Sequence, residues 1–510
     1  MAAATTQQPH EQLHVFFFPF MSPGHLIPMT DMARIFASHG TTKATIITTP
    51  QNISRFESII GRDDNRQSIN ILKMDFPSAA ANLPPNCESL DALPSRGLSY
   101  NFSKASMMLH PQADDLVRRY RPDAIVSDFN FPWTAEIARK YGIPRFSFHG
   151  TCCFSLCLSM AASQHKPNVK VSSETETFLV PGLPEPVFIT LSHMPDRFFG
   201  NTGLHEFFEK IIEAERDTYG VVANTFFEIE PEYVKHYEKV TGKVVYPVGP
   251  VSLFNTKALD MAERGGNKAS NIGEEDRCVS WLDSKKPNSV LYVCFGSLCE
   301  FSESQLLEIA SGLESSKASF IWVVKDSNKC TFLTDDFEER IEGRGLVING
   351  WAPQVLILNH PAVGGFMTHC GWNSILESVS SGVPMITWPL FAEQFYNENL
   401  VVTRLRVGIA IGVQRGLAWG EEENIGVLIK RDRVEEVVTR LINNNGGHEK
   451  EVVEEMRRRV SELSELARLA VCKGGSSYVN VDILITDLLN HKKHKKIIEK
   501  NTLNGEQPTE

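Results

Sequence analysis

The densest group of chemically capable residues is one stretch, Thr368-His369-Cys370-Gly371-Trp372-Asn373-Ser374. It follows an apolar run at 365–367 and precedes a helical run at 375–380, so it reads as a strand–loop–helix junction. A helix start presents unpaired N–H groups and about half a positive charge, which suits a phosphate. Gly371 lets the backbone approach a ligand, Asn373 and Ser374 can donate side-chain hydrogen bonds, and His369 can add a donor or a charge. Glu377 lies four residues after Asn373 on the same helix face, where a carboxylate suits paired ribose hydroxyls. The chemistry indicated is nucleotide binding. Taken alone, His-x-Gly-x-Asn-Ser serves equally well as a capped helix beside a structural histidine, so the flanking residues must decide.

A second constellation offers proton transfer. Of the 15 histidines, His25 follows the first apolar strand through Met21-Ser22-Pro23-Gly24, in a loop at that strand's carboxyl end. Asp128 ends another strand on the same sheet edge. A carboxylate bonded to one ring nitrogen fixes the tautomer and stabilises the imidazolium that forms when the ring acts as a base. A helix-capping histidine and a strand-terminal aspartate would look the same, and only a fold that joins them gives them this role.

Such loops need elements to hold them. The first half carries short apolar runs at 14–20, 43–49, 69–74, 124–127, 145–148 and 220–224, with helical stretches such as 29–39 and 134–141 between them. A second series at 290–295, 320–324, 346–349, 365–368 and 384–387 repeats the pattern, and helices rich in i, i+4 charge pairs close the chain between Arg433 and Asn490. Strand–helix alternation implies parallel sheets covered on both faces. The fold class is α/β, with two doubly wound Rossmann-like domains facing across a cleft. Ligands of such sheets bind outside the carboxyl ends of the strands. The division expected is a first domain at 1–250, an exposed linker or long loop at 251–275 and a second domain at 276–475. A closing helix at 476–490 packs back on the first domain, and a basic, polar tail at 491–510 reads as a solvated end.

Composition narrows the function. With 51 Lys and Arg against 62 Asp and Glu the formal charge is −11, unsuited to a nucleic-acid partner. No run reaches the ~18 apolar residues that span a bilayer. The first apolar run, 15–21, follows a start without Lys or Arg, so it reads as a buried strand rather than a secretory signal. The ten cysteines form no CxxC pair and no zinc-ligand spacing, and in a cytoplasmic chain they are reduced core residues. The sequons at Asn52 and Asn101 are then without meaning. No G-x-G-x-x-G follows a strand and no phosphate-binding P-loop is present, which disfavours a nicotinamide-dependent oxidoreductase. No metal cluster is visible.

The flanking residues settle the first constellation. From Trp351-Ala352-Pro353-Gln354 to Glu393-Gln394, the stretch resembles almost throughout the signature box of the plant secondary-product UDP-glycosyltransferases, the plant branch of family 1. Pro23-Gly24-His25, Phe295-Gly296-Ser297 and Gly474-Gly475-Ser476-Ser477 also stand as in that family, so the likeness covers all but the first dozen residues and the basic tail. The resemblance implies the two-domain GT-B fold, with acceptor binding by the first domain and UDP-sugar binding by the second. It also implies a UDP-sugar co-substrate, no further cofactor and no metal, and a monomer. By position, Trp351 would stack on uracil and Ala352 would contact it through the backbone. Gln354 and Glu377 would hold the ribose, and His369, Asn373 and Ser374 would bind the diphosphate beside Gly371, with Ser297 from the facing loop. Trp372, Glu393 and Gln394 would meet the sugar hydroxyls. A terminal Gln goes with glucose in this family and a His with galactose. Glu393 stands where Asp is commonest, one methylene further out. His25 and Asp128 coincide with the family's catalytic His and its Asp partner, which implies a single displacement with inversion.

The acceptor implied is a small hydrophobic plant metabolite, a triterpenoid, steroid or flavonoid or a glycoside of one. Phe18, Phe20, Met107, Met108, Phe129, Phe131, Trp133, Phe148 and Phe154 are its candidate apolar lining. Two alternatives stay open: the same fold using UDP-galactose, UDP-xylose or UDP-glucuronic acid, and a non-catalytic sugar-nucleotide-binding protein.

Overall fold

The computed structural model describes residues 12–167, 171–195, 205–266, 274–325, 333–443 and 447–503. In the first half the strands are β1 (Leu13–Phe18), β2 (Thr42–Thr48), β3 (Ile69–Lys73), β4 (Ala124–Asp128) and β5 (Arg145–Phe148). A hairpin, β6 (Thr177–Val180) and β7 (Val187–Thr190), precedes β8 (Gly220–Ala223) and β9 (Val244–Pro247). Apart from the hairpin these form one parallel sheet in the order β3-β2-β1-β4-β5-β8-β9. The second half gives β10 (Val290–Cys294), β11 (Ser319–Val324), β12 (Gly345–Asn349), β13 (Val363–Thr368), β14 (Met385–Thr387) and β15 (Gly408–Ala410). They form a second parallel sheet in the order β12-β11-β10-β13-β14-β15.

Both sheets bury both faces, which is why their strands read as unbroken apolar runs. In β1, Val15 and Phe17 enter one core while Phe16 and Phe18 enter the other. In β10, Val290 and Tyr292 face one side and Leu291 and Val293 the opposite one. Strand order reverses between β1 and β4 in the first sheet and between β10 and β13 in the second. These are the switch points at which open α/β sheets bind ligands.

Four helices matter for the cleft: α1 (Pro23–Ser38), α2 (Trp372–Ser380), α3 (His448–Val471) and α4 (Ser476–Leu503). The start of α1 corrects the expectation of a helix at 29–39. Pro23 opens it, a position where the missing N–H costs nothing, so His25 lies in the first turn and not in a loop. Helix α2 likewise begins at Trp372, three residues earlier than the expected run at 375–380.

Two further expectations fail on burial. The segment at 251–275 reads as an exposed linker, yet 251–266 contains a 3-10 turn (Val251–Phe254) and a helix (Ala258–Glu263), with Val251, Asn255, Asp260 and Arg264 buried. Residues 267–273 lie outside the described residues. The tail reads as a solvated end, but 491–503 continue α4; Lys492 Nζ donates to Asp123 (2.8 Å) and Lys495 Nζ to the Tyr141 carbonyl (3.0 Å). Residues 504–510 lie outside the described residues. Helix α4 packs Val481, Leu484, Ile485 and Leu488 into the core of the first sheet. Near its start Ser477 Oγ donates to the Gly249 carbonyl (2.6 Å) and Asn480 Nδ2 to that of Pro247 (3.0 Å). Cys330 is outside the described residues; the other nine cysteines are free thiols. Among the described residues no helix is long and apolar enough to cross a membrane.

Candidate active site

The carboxyl ends of the two sheets face a cavity of about 880 Å³ lined from both halves of the chain. From the first sheet, β1 and β4 run side by side in parallel with Phe18 opposite Ser127, so the residues that follow them emerge together. His25 Nδ1 lies 2.6 Å from Asp128 Oδ2. Asp128 is fully buried, and its other oxygen accepts from Asn130 N (3.0 Å) and Asn130 Nδ2 (2.9 Å), so the carboxylate is held on both sides. Burial works against a charged His25 ring, but the Asp128 charge and hydrogen bond, with a smaller contribution from Glu393, outweigh it and hold the imidazole above its ordinary pKa. Phe20 and Phe148 approach the ring edge-on. Gly150 (φ 70°) packs on its flank, where a Cβ would lie 2.9 Å from Cε1. With Nδ1 taken by Asp128, Nε2 is the ring nitrogen left to take a proton.

From the second sheet, β13 leads through His369, Cys370 and Gly371 into α2. The N–H groups of Trp372, Asn373 and Ser374 are the first turn of that helix and have no acceptor within it. His369 is wedged between two glycines: a Cβ at Gly296 would fall 2.6 Å from its ring and one at Gly371 2.5 Å. Its Nδ1 is closed off from solvent without a partner, and burial pushes the ring down to about 4. The ring is therefore neutral near neutral pH. It can donate a hydrogen bond to an anion, but it does not bring the charge that the sequence allows.

The other predicted residues all border this cavity, though several are already engaged. Glu377 is bonded to Gln354 Nε2 (2.6 Å) on one oxygen and to Arg264 on the other. Gln354 Nε2 also reaches Ser374 Oγ (3.2 Å). Trp372 is buried with its indole N–H on the Asn224 carbonyl (2.7 Å), so that N–H is not free for a ligand. Gln394 Oε1 accepts from Leu390 N (2.9 Å) and Phe391 N (3.1 Å), which leaves its NH₂ group to the cavity. Trp351 keeps a buried indole N–H without a partner. Ser297, Ala352 and Glu393 line the walls.

Asn373 crosses the cleft. Its Nδ2 donates to the Gly24 carbonyl (2.6 Å) and its Oδ1 accepts from Asn224 Nδ2 (3.0 Å). Gly24 is available because Pro28, four residues on inside α1, has no N–H to close the helical bond. The proline thus exposes an acceptor beside His25 that the second domain reads. At another part of the cleft Arg96 stacks over Trp419 (4.5 Å), and both donate to the Leu298 carbonyl.

Sequence reasoning missed Gly150, Asn224 and Arg264. Asn224 ends a predicted strand on the same edge as Asp128, a signal that was there to use; nothing in the sequence marks Gly150. Of the acceptor candidates, Phe18, Phe20, Phe131, Trp133, Phe148 and Phe154 are core residues, and the Trp133 indole bonds the Ser106 carbonyl. Phe129, Met107 and Met108 keep exposed surface. Among the described residues no three metal-ligating side chains gather.

Comparison with known proteins adds to this geometry. The family described as UDP-glucoronosyl and UDP-glucosyl transferase matches residues 262–415. UDP-glucose flavonoid 3-O-glucosyltransferase 7 of Fragaria ananassa is 45% identical, over 94% of this chain and 96% of its own. The crystal structure of Glycyrrhiza uralensis UGT73P12 complexed with glycyrrhetinic acid 3-O-monoglucuronide superposes with a TM-score of 0.88. It is 40% identical and covers 97% of this chain and 100% of its own. That of Medicago truncatula UGT71G1 complexed with UDP-glucose gives a TM-score of 0.77 at 25% identity, covering 94% and 99%.

Proposed function

The chain belongs to the UDP-glucoronosyl and UDP-glucosyl transferases and is a UDP-glycosyltransferase of GT-B fold, and from that premise we propose that it moves glucose from UDP-glucose, with inversion, to a hydroxyl of a rigid apolar acceptor. The acceptor class is a triterpenoid, steroid or flavonoid, in keeping with the flavonoid and glycyrrhetinic acid named for two of its relatives. The observation that carries the reading is the His25–Asp128 pair standing on the same cavity as the open start of α2, one from each sheet.

In this reading the acceptor hydroxyl lies against His25 Nε2, which takes its proton as the oxygen attacks the anomeric carbon. The bond from that carbon to the diphosphate oxygen breaks on the opposite face, so the configuration inverts and UDP leaves with the electron pair. Asp128 stabilises the imidazolium and keeps the ring's orientation. The growing charge on the diphosphate meets the N–H groups of Trp372–Ser374 and a donor from His369, preset where charge develops. Trp351 and Ala352 hold uracil, Gln354 and Glu377 the ribose, Ser297 a phosphate oxygen, and Glu393 with the Gln394 amide the glucose hydroxyls.

His25→Ala tests the reading. Turnover is expected to fall by about 10²–10⁴-fold, the share general-base catalysis supplies, while UDP binding by calorimetry is unchanged. Near-normal turnover in this variant would overturn the mechanism.

A further inference from the structure

Arg264 is a buried cation at the nucleotide half of the cavity with no part in the chemistry above. It follows the short helix Ala258–Glu263, and its side chain is 7% exposed. One guanidinium nitrogen, Nη1, is bonded to Glu377 Oε1, and Nε donates to Asp31 Oδ2 at 2.8 Å. The second Glu377 oxygen is held by Gln354 Nε2 at 2.6 Å. Asp31 belongs to α1, less than two turns beyond His25, and its other oxygen accepts from Asn255 Nδ2 (3.0 Å) and Arg34 Nη1 (3.3 Å). Arg34 is closed in turn by Asp63 (2.8 Å). A buried guanidinium is tolerated only where its charge is compensated, and here it stands between two carboxylates from different domains. The next residue fixes the backbone. Gly265 (φ 79°) lies so close to Trp351 and Ile27 that a Cβ would come within 2.8 Å of the indole and 2.2 Å of the Ile27 side chain.

We propose that Arg264 is a positioning residue for the donor's ribose, resting on the reading of Glu377 as the ribose acceptor. The terminal torsion of a glutamate is broad, so a lone carboxylate does not present its lone pairs in one direction. With one donor on each oxygen, from two separate elements, that rotation is removed and the remaining lone pairs are set for a vicinal diol. Through Asp31 the same guanidinium joins the ribose site to the helix that carries His25. The nucleoside half and the proton acceptor are thereby placed by one buried chain of charges.

The test compares UDP with 2′-deoxy-UDP by calorimetry in the full-length protein. Wild type is expected to prefer UDP by about tenfold or more, the weight of a buried hydroxyl's hydrogen bonds. Arg264→Met should lose most of that preference while 2′-deoxy-UDP still binds, a split that a loss of fold would not produce. Arg264→Lys keeps the buried charge, and with it the fold, but lacks the planar fork, so it should also fall short of the wild-type preference. Glu377→Ala should abolish it. An unchanged preference in Glu377→Ala would overturn the ribose reading and the proposal with it. A preference lost in Glu377→Ala but kept at the wild-type level in both Arg264 variants would overturn the role of Arg264 alone.

Discussion

His25 and His369 are set in opposite senses by their partners. Against burial, Asp128 and Glu393 raise His25, so the proton-bound form is favoured in the folded state. The stability this gives is fully present below the ordinary imidazole pKa of 6.5 and is lost as pH rises through the raised value. In the proposed reading the neutral ring is the base, so the acid limb of kcat/KM should lie above 6.5. Asp128→Asn should move that limb to lower pH and slow turnover as well, because the amide no longer balances the imidazolium; a pH–rate profile of both enzymes checks this. His369 has burial alone acting on it and falls to about 4. The unfolded chain binds that proton first, so stability drops as pH falls from about 6.5 toward 4. Gln394 sets the third residue-scale expectation. Its oxygen is held by two backbone N–H groups, leaving a directed donor that the proposed reading assigns to the sugar. A hydroxyl turned the wrong way leaves that donor unpaired at about 1–3 kcal/mol, so UDP-glucose should exceed UDP-galactose by about tenfold in kcat/KM, with Gln394→His narrowing the gap. Competition of the two donors at equal concentration measures it, and a mainly galactosylated product would sink the donor assignment.

At the scale of elements the decisive feature is how α1 and α2 meet. Asn373→Leu keeps the shape but leaves the Gly24 carbonyl and Asn224 without their partner. Each such loss is worth on the order of 1 kcal/mol at a part-exposed site. The unfolding midpoint should fall without any ligand present, which separates a tie between domains from a contact with substrate. Strand–helix alternation was legible because fully buried parallel strands carry unbroken apolar runs, as Val290–Cys294 does, whereas the strand order and its two switch points come from the structure alone. Placing His25 and Asp128 at one sheet edge made their pairing possible, and the family resemblance, not the edge alone, gave the pair its expected role. Both helix starts lie earlier than expected: Pro23-Gly24 reads as a turn although Pro suits the first helical position, and Trp372-Asn373-Ser374 reads as loop although Gly371 is the cap before them. Strands β9 and β15 escaped notice because they are short and lie at sheet edges. The segment at 251–266 looked exposed because hydropathy counts Asp260 and Arg264 as surface residues and is blind to the charges that bury them.

Across the whole molecule, the last helix belongs to the first domain although the chain reaches it from the second. Leu484 is fully buried against the first sheet, and Leu484→Ala should cost about 2–5 kcal/mol, seen as an earlier thermal transition with UDP affinity retained. The basic residues past His491 serve the same attachment, since Lys492 and Lys495 bind acceptors of the first domain. The return of the chain also has a mechanical consequence. It comes back from α3 beside the point where it first left, for Ser477 is bonded to Gly249 and Asn480 to Pro247. A domain joined through one strand of chain could swivel in any direction. Two passages bound side by side pin the halves along that line, and the buried Ser155 Oγ, which donates to Asn397 Oδ1 (2.7 Å), adds a second tie between them. Arg96 stacked on Trp419 joins them again at another part of the cleft.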